Sequence, residues 1–539
     1  MFRSLLRLLV LLIAFAAGSV HAALPPEVLS GLGSKSFGER IDAIEALAIA
    51  GPAGAQVLDA IEAGDFGALD ERPVIVRDDT VIDVASGEPL EAAASDVSKL
   101  RVNNRVRRAI STARAGVELE TGSEVQRLAA AQTLVDNASE RLLPLFDRVI
   151  ENEKLASVRE LVVLARARVL LGSDDPADRR AAAQALGESS DRAVLTLLAP
   201  LVERQPGEAG APGPWNEPDA SVRAAAADSI TAIERRVAFA ANVAIVFSGV
   251  SLGSILLLAA LGLAITFGVM GVINMAHGEL LMVGAYATYL VQNVFRTQFP
   301  EYFDFYVLAA VPVAFFVAAA VGIVMERTVL RYLYGRPLES LLATWGLSLV
   351  LIQAARVTFG PQNLELSNPS WMSGSVELFA GLSLPWNRIV IVGFSGFVLL
   401  LIWLMMQRTR LGMFVRAVTQ NRPMAGCVGV PTARVDTMAF AIGAGVAGLG
   451  GLALSQIANV GPAMGQGYIV DSFMVVVLGG VGQLAGAVSA AFGLGIFTKF
   501  LEGWTGAVVA KILVLVFIIM FIQKRPQGIF ALKGRFADN

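Results

Sequence analysis

The sequence predicts an all-α fold in two parts, a polytopic α-helical membrane domain preceded by an exported domain of paired short helices. Two observations support this fold class. Of the 539 residues, 55% are apolar and only 17% are charged, whereas soluble domains carry roughly 25% charged residues. Residues 1–236 contain 26 Lys and Arg against 35 Asp and Glu, while residues 237–539 contain 17 against 11. This change of sign indicates that an acidic water-soluble domain is followed by a basic membrane domain.

The N-terminus is typical of a secretory signal. Two arginines supply positive charge, residues 8–17 form an apolar run, and Ala22 ends a small-x-small cleavage pattern. We therefore predict a signal peptide over residues 1–22 and an exported domain over residues 23–236. The alternative is an uncleaved anchor helix, which would leave the same domain outside the cytoplasm.

Short amphipathic helices recur in the exported domain. Small and apolar residues share one helical face in four similar segments, which begin at Glu39, Glu124, Asp175 and Asp219. Residues 193–202 form a second helix after the third of them. Helix pairs of this kind bury their apolar faces only by stacking, and these resemble HEAT-type repeats. Such a domain is either a docking surface for a partner protein or a spacer that aids folding.

Two segments of the exported domain do not have a helical pattern. Residues 73–76 and 80–83 are rich in β-branched side chains and predict a small hairpin. Residues 207–218 are rich in Gly and Pro and predict a loop within the last repeat. We expect the rest of the domain to be helical.

Apolar stretches long enough to cross a bilayer follow one another after residue 237. They are 240–265, 278–293, 306–326, 340–358, 388–406, 436–456, 470–500 and 507–523. The stretch 470–500 is too long for one simple span, and its glycine-rich middle at 479–486 predicts a break between two shorter helices. Such a break is tolerated where the backbone is covered by protein or lines a cavity.

Basic residues predict the orientation, because loops rich in Lys and Arg favour the cytoplasm. The segments after the third, fifth and last apolar stretches carry such clusters, which places the C-terminus in the cytoplasm. An exported N-terminal domain then requires an odd number of crossings. The count is nine if residues 470–500 form a pair of short helices and seven if they form a re-entrant segment.

The long basic loop over residues 407–436 contains a candidate docking element. A short amphipathic helix is predicted over residues 412–427, and its exposed arginines suit a groove of a cytoplasmic protein. The alternative, from charge alone, is a loop that contacts only lipid headgroups.

Residues 262–279 end in the motif Gly-Val-Ile-Asn-Met-Ala-His-Gly-Glu, and further matching segments lie at 475–486 and 525–530. Together they resemble the branched-chain amino acid type of ABC-importer permease. The resemblance implies a bacterial inner-membrane protein with a second related permease subunit, two cytoplasmic ABC ATPase subunits and a periplasmic solute-binding protein. It also implies that the basic loop couples to the ATPase through Gly412, Arg416, Ala417, Asn421, Arg422, Ala425 and Gly429.

The energy source is expected outside this chain. The 539 residues contain no Gly-x-x-x-x-Gly-Lys-Ser/Thr loop, so the chain cannot hold ATP in the P-loop manner. We therefore predict a transporter subunit and not an enzyme, with no cofactor and no nucleic-acid partner. His277 is the single histidine after the leader, which excludes a multi-histidine metal site.

The cargo is predicted from the exported extension, which resembles that of permeases from urea ABC importers. Urea is therefore the expected solute. The closest alternative is the same importer type carrying branched-chain amino acids or short-chain amides. A passive urea channel would need no ATPase-coupling loop, and a membrane-anchored receptor would not need eight apolar stretches.

Five polar residues are candidates for the solute pathway: Thr266, Asn274, His277, Glu279 and Gln456. Polar groups inside a membrane cost free energy unless they face a cavity or each other. Urea needs hydrogen-bond partners without a counter-charge, which such side chains supply. The alternative for Asn274 and His277 is a structural role in capping a helix break.

Other charged residues of the membrane domain have structural expectations. We expect Asp471 to be a helix N-cap, and Lys499 and Lys511 to extend to the interface from helix ends. Neutralising Glu279 or Arg356 should be tolerated if the solute is neutral urea, and not if it is a zwitterion.

Overall fold

A computed structural model describes residues 24–34, 36–77, 80–100, 102–206, 212–379, 382–525 and 528–530. The predicted signal peptide over residues 1–22 lies outside these ranges. The chain divides after Val237 into two compact units, and each is described by itself below.

Short helices make up most of the first unit. They are α1 Pro26–Gly33, α2 Phe37–Ala46, α3 Gly51–Ala63, α4 Asn104–Thr121, α5 Glu124–Asn137, α6 Leu143–Asn152, α7 Ala156–Leu170, α8 Pro176–Leu186 and α9 Ala193–Val202. All four predicted repeat segments are helical, and the helix predicted over residues 193–202 has those bounds. Their leucine, valine and alanine faces form two buried clusters, one around Leu47, Leu134 and Phe146 and one around Leu186 and Leu198.

A sheet is inserted between α3 and α4, so the chain is not purely helical as predicted. Its strands are β1 Phe66–Leu69, β2 Arg72–Arg77, β3 Thr80–Asp83, β4 Pro89–Leu90 and β5 Ser98–Lys99. They pair antiparallel in the order β4-β3-β2-β1-β5. The predicted hairpin is confirmed as β2 and β3, with Val76 opposite Val81. The other strands escaped prediction because they are too short to show alternation.

The prediction of a loop over residues 207–218 is wrong in part, because residues 212–215 form a strand of a second hairpin. Strands β6 Arg204–Pro206 and β7 Pro212–Trp215 pair antiparallel. Part of the loop, residues 207–211, lies outside the described residues.

One arginine position recurs at the start of five helices. Each of α2, α5, α7, α8 and the long helix that begins at Ala220 carries Arg as its fourth residue. Each guanidinium donates to a carbonyl five or six residues earlier, which closes the turn before the helix. The donors are Arg40, Arg127, Arg159, Arg179 and Arg223. This contact is a periodic feature of the first unit that spacing of apolar residues alone did not reveal.

Two of these arginines also form buried ion pairs. Arg127 pairs with Glu153 at 2.9 Å, and Arg179 pairs with Glu217 through two contacts of 2.9 Å. The Arg179 guanidinium holds the pKa of the Glu217 carboxyl below its ordinary value, against the opposing effect of burial. Each glutamate precedes a helix, so the pairs tie the start of one helix to the turn before a later one.

Long apolar helices make up the second unit. They are α10 Ala220–Met270, which begins in the first unit, α11 His277–Gln298, α12 Tyr306–Thr328, α13 Pro337–Phe359, α14 Trp386–Arg408, α15 Arg410–Gln420, α16 Arg422–Cys427, α17 Thr432–Ser455, α18 Met464–Gly479, α19 Leu484–Thr505 and α20 Ala507–Lys524. A hairpin of β8 Ser375–Phe379 and β9 Leu382–Pro385 precedes α14.

Seven of the described helices are long and apolar enough to cross a membrane: α10, α12, α13, α14, α17, α19 and α20. Helix α11 has 22 residues, and α18 has 16, which corresponds to about 33 Å and about 24 Å. The predicted break is confirmed, because α18 ends at Gly479 and α19 begins at Leu484. Counting α11 and α18 gives nine crossings, an odd number.

Glycines bring the central helices into close contact. A Cβ on Gly448 of α17 would lie 2.6 Å from the Ala314 carbonyl oxygen of α12. A Cβ on Gly284 of α11 would lie 2.2 Å from the carbonyl oxygen of Gly448. In lipid, such small residues let backbones approach and gain van der Waals contact that apolar burial alone does not supply. Helix α17 is therefore the centre of the bundle.

Two local predictions are wrong. Residues 412–427 form two helices, α15 and α16, and not one, because Asn421 leaves the helical conformation and caps α16 by accepting from the Met424 amide at 3.0 Å. Asp471 is not an N-cap, since α18 begins seven residues earlier and Asp471 lies within it.

Candidate solute pathway and coupling site

The signature motif forms a break between α10 and α11 at residues 271–276. Gly271 ends α10 with a φ of 65°, a conformation that side chains disfavour. The Asn274 Oδ1 accepts from the Ala276 amide at 3.0 Å, and the Met275 amide donates to the Thr344 hydroxyl of α13 at 3.1 Å. Asn274 thus stabilises the turn before α11 without capping the helix, whose N-cap is Ala276, while its Nδ2 is buried without a partner.

His277 begins α11 and is fully buried. Its Nε2 lies 2.9 Å from the Ala259 carbonyl oxygen, so Nε2 carries the proton and donates. Its Nδ1 is left without a partner and is an acceptor, because the neutral ring carries one proton.

Glu279 lies two residues further and is also buried. It hydrogen-bonds to Ser348 of α13, and its Oε2 has no partner. Ser340, Thr344 and Ser348 are spaced four residues apart and are buried, so one polar stripe of α13 follows the break. The sequence interpretation missed this stripe, although polar residues at helical spacing inside an apolar helix are a recognisable signal.

The two remaining pathway candidates make other contacts. The Thr266 hydroxyl bonds to the Gly262 and Leu263 carbonyls of its own helix. Gln456 follows the end of α17, where its Oε1 accepts from the Tyr306 hydroxyl at 3.1 Å and its Nε2 donates to Ser455 at 3.2 Å. Their polar atoms are therefore satisfied away from the break.

A cavity of about 340 Å³ lies among α10, α18, α19 and α20. Its polar lining comes from Tyr468, Asp471, Thr498, Glu502 and Lys511, and its aliphatic lining from Leu252, Leu256, Met474, Leu494 and Val514. Lys511 pairs with Asp471 at 3.2 Å and donates to the Gly467 carbonyl at 3.1 Å. Lys511 lies in the second turn of α20, and its interfacial position stays a prediction.

Lys499 pairs with Glu502 beside the same cavity, at 2.6 Å within one helix. The sequence interpretation treated these charges separately, as caps and helix-end residues. The ion pair between Asp471 and Lys511 could have been predicted, because opposite charges in two apolar segments tend to pair with each other.

The predicted coupling residues mostly hold α15 and α16 in place. Gly412 is buried, and a Cβ there would lie 2.2 Å from the Met406 carbonyl oxygen. Arg416 donates to the same carbonyl, Ala417 packs on the core, Asn421 caps α16, and Ala425 is buried. Gly429 ends the loop with a φ of 87°. Arg416 and Asn421 are exposed, and so are three apolar side chains that the prediction missed: Met413, Met424 and Val428.

Arg422 connects this loop to the bundle. It pairs with the buried Asp436 of α17, and its guanidinium stacks 4.8 Å from the centre of the Tyr334 ring. The Tyr334 hydroxyl donates to Glu326 Oε1 at 3.1 Å and lies 3.0 Å from the sulfur of Met270. Met270 is the last residue of α10, so polar contacts run from the loop to the helix break.

Comparison with known families identifies this architecture. The model of the branched-chain amino acid transport system permease component matches residues 245–523, more than half of the chain. The chain belongs to this family. It is a multi-pass permease component of an ABC transporter of the branched-chain amino acid type and not an enzyme. Permeases of such importers work with an ATPase and a solute-binding protein.

Curated relatives match this permease over its membrane unit. The high-affinity branched-chain amino acid transport permease LivH of Salmonella typhimurium is 28% identical over 288 residues, 52% of this chain and 93% of the relative. BraD of Pseudomonas aeruginosa, a permease of the same description, is 27% identical over 288 residues, with the same coverage. The ribose import permease RbsC of Escherichia coli is 26% identical over 204 residues, 36% of this chain and 61% of the relative. No solved structure matches this permease.

Proposed function

We propose that this permease carries urea across the bacterial inner membrane in an ATP-driven importer. The observation that carries the proposal is a set of three buried polar atoms without partners at the helix break. They are Asn274 Nδ2, His277 Nδ1 and Glu279 Oε2. One is a donor and two are acceptors, which complements a solute with a carbonyl oxygen and N–H groups. Burial without partners is costly. A polar solute that forms hydrogen bonds with these atoms would therefore lower the free energy of the site.

The N-terminal unit supports urea over other cargo. The family match begins at residue 245, and the LivH relative is covered to 93% by the membrane unit alone. The extension of this chain is therefore additional to that relative, and it resembles the extension of urea-importer permeases. We infer that it is periplasmic and follows a signal peptide over residues 1–22. Two features support a HEAT-like repeat: the arginine that recurs as the fourth residue of five helices, and the arrangement of the helices in pairs.

The complete importer contains a second related permease, two cytoplasmic ATPase subunits and a periplasmic solute-binding protein. We place the ATPase contact on α15 and α16, where Met413, Met424 and Val428 are exposed next to basic side chains. An amphipathic helix with apolar anchors suits a groove in a partner protein. ATP hydrolysis would displace α15 and α16. The contacts of Arg422 and Tyr334 would transmit this displacement to the helix break between α10 and α11.

A second candidate is the import of aliphatic amino acids or short-chain amides. The aliphatic lining of the α18–α20 cavity favours it, because urea has no apolar side chain to bury. The relatives named for branched-chain amino acids support the same alternative.

Uptake by the reconstituted importer tests the proposal. The full-length chain, its partner permease, the ATPases and the binding protein are placed in proteoliposomes with labelled urea or labelled leucine. We expect ATP-dependent urea uptake that excess leucine does not inhibit. Leucine uptake without urea uptake would overturn the cargo and retain the importer, whereas urea uptake without ATP would indicate a passive channel.

A second experiment tests the charge requirement of the pathway. Glu279→Gln and Arg356→Gln should each retain urea uptake within a few-fold, because a neutral solute needs no counter-charge. Complete loss of uptake at normal expression and ATPase activity would contradict a neutral-solute pathway.

A further inference from the structure

The cavity among α10, α18, α19 and α20 contains charges that lipid does not accommodate. The Lys511 side chain is 53% exposed and the Asp471 side chain 21% exposed, within helices of the membrane unit. Charged side chains of membrane helices face water or protein, because exposure to hydrocarbon is costly. This face of the bundle therefore adjoins water or a second subunit.

The ion pair is held loosely enough to admit a ligand. Asp471 and Lys511 share one contact at 3.2 Å, and the lysine divides its donors between Asp471 and the Gly467 carbonyl. A single contact between partly exposed groups contributes little net free energy. A solute that displaces this contact removes little stabilising free energy and forms two hydrogen bonds, one with each charged group.

We propose that this cavity is a solute-binding site of the importer, in which Asp471 accepts from N–H groups of the solute and Lys511 donates to its oxygen. This inference rests on the proposed function, and it specifies the solute chemistry. The carboxylate and the ammonium group neutralise each other, so a net-neutral solute leaves the site balanced. An anion or a cation would add a net charge to the cavity and is disfavoured. Urea and zwitterionic amino acids share the required donor and acceptor pattern.

The position of the cavity suits an entry site. With a cytoplasmic C-terminus, the last turns of α19 and the first turns of α20 lie towards the outer face, and these carry Glu502 and Lys511. Helix α18 separates the cavity from the helix break: its Gly467 and Asp471 line the cavity, while its Gly465 packs on Gly278 of α11. Movement of this short helix would therefore open one site towards the other.

The test is uptake per ATP hydrolysed, with the complete importer in proteoliposomes at saturating binding protein. Asp471→Asn and Lys511→Met should each lower urea uptake per ATP by about 10- to 100-fold, as expected for the loss of a charged hydrogen bond. ATPase activity stimulated by the binding protein should remain near the wild-type level. Lys524→Met is the matched control, because it removes a lysine of the same helix α20 that does not line the cavity, and it should change the ratio less than twofold.

A second measurement uses Thr498, which lines the cavity. In a Cys427→Ser background, Thr498→Cys should react with a small water-soluble thiol reagent, and saturating urea should slow that reaction. Unchanged uptake per ATP in both charge variants, or a cysteine that urea does not protect, would overturn the site. Loss of leucine uptake in the same variants, with no urea uptake in the wild type, would retain the site and refute only the cargo.

Discussion

At the scale of single residues, the helix break between α10 and α11 depends on side chains that replace missing backbone partners. Helix ends leave amide and carbonyl groups unpaired, and in a membrane no water compensates for them. Thr344 of α13 accepts from the Met275 amide, and Asn274 accepts from the Ala276 amide. Asn274 thus stabilises the break through its Oδ1, while its Nδ2 is buried without a partner.

Replacement of Thr344 by Val tests this stabilisation. The side chain keeps its shape and loses its acceptor, so the Met275 amide is buried without a partner. We expect the free energy of unfolding to fall by about 1–3 kcal/mol, measured as a lower midpoint in thermal unfolding of the detergent-solubilised chain. Thr358→Val is the control, because that exposed hydroxyl bonds only to its own helix at Ala354. Equal effects of the two variants would contradict the role of Thr344.

At the scale of elements, the coupling helices and the helix break are connected through side chains of three other segments. Arg422 of α16 meets Asp436 of α17 and the ring of Tyr334, which lies between α12 and α13. Tyr334 in turn meets Glu326 and Met270. A contiguous polar network of this kind can transmit a displacement when its two ends have alternative positions.

The variant Tyr334→Phe separates the two ends of this network. It removes the hydroxyl that donates to Glu326 and keeps the ring under Arg422. We expect uptake per ATP hydrolysed to fall about fivefold, equivalent to one hydrogen bond of roughly 1 kcal/mol. Tyr332→Phe is the matched control, since that side chain is exposed two residues away. A parallel loss of ATPase activity and uptake would point to a folding defect and not to coupling.

In the first unit, the arginine and glutamate pairs predict a dependence on pH. The pKa of Glu217 is lower in the folded chain than in the unfolded chain because of Arg179. Its contribution to stability is therefore complete above the ordinary carboxyl pKa and is lost as the pH falls through the lower folded value. Acid should lower the midpoint of thermal unfolding of the first unit within the full chain. Glu217→Gln should reduce this dependence of the midpoint on pH. The exposed Glu234→Gln should leave the dependence unchanged, and an equal change there would refute the assignment to Glu217.

At the scale of the whole molecule, a count of nine crossings adds α11 and α18 to the seven helices that are long and apolar enough to span a membrane. This count predicts opposite locations for two segments. The turn around Glu301 should face the exterior, and Cys427 of the coupling loop should face the cytoplasm. In intact cells, an impermeant maleimide should label Glu301→Cys in a Cys427→Ser background and should not label wild-type Cys427, which is exposed in the chain itself. Labelling of Cys427 without permeabilisation would reverse the topology.

The sequence by itself determined the features that depend on composition and local pattern. The apolar stretches, the glycine-rich break before α19, the basic loop and the paired helices of the first unit were all predicted, because each signal lies within one segment. The family motif similarly identified the break between α10 and α11. Its residues are adjacent in sequence, and no knowledge of packing was needed to find them.

Only the tertiary structure decided which distant groups meet. The sequence suggested a capping role for Asp471 and an interfacial one for Lys511, but packing of α18 against α20 pairs them across 40 residues. Thr344 reaches Met275 across 69 residues, and Tyr334 reaches Met270 across 64 residues. These contacts depend on helix crossings set by small residues such as Gly448. A hydropathy pattern records that a helix is buried and does not record its neighbour, so side-chain partners follow from the crossings and not from the pattern.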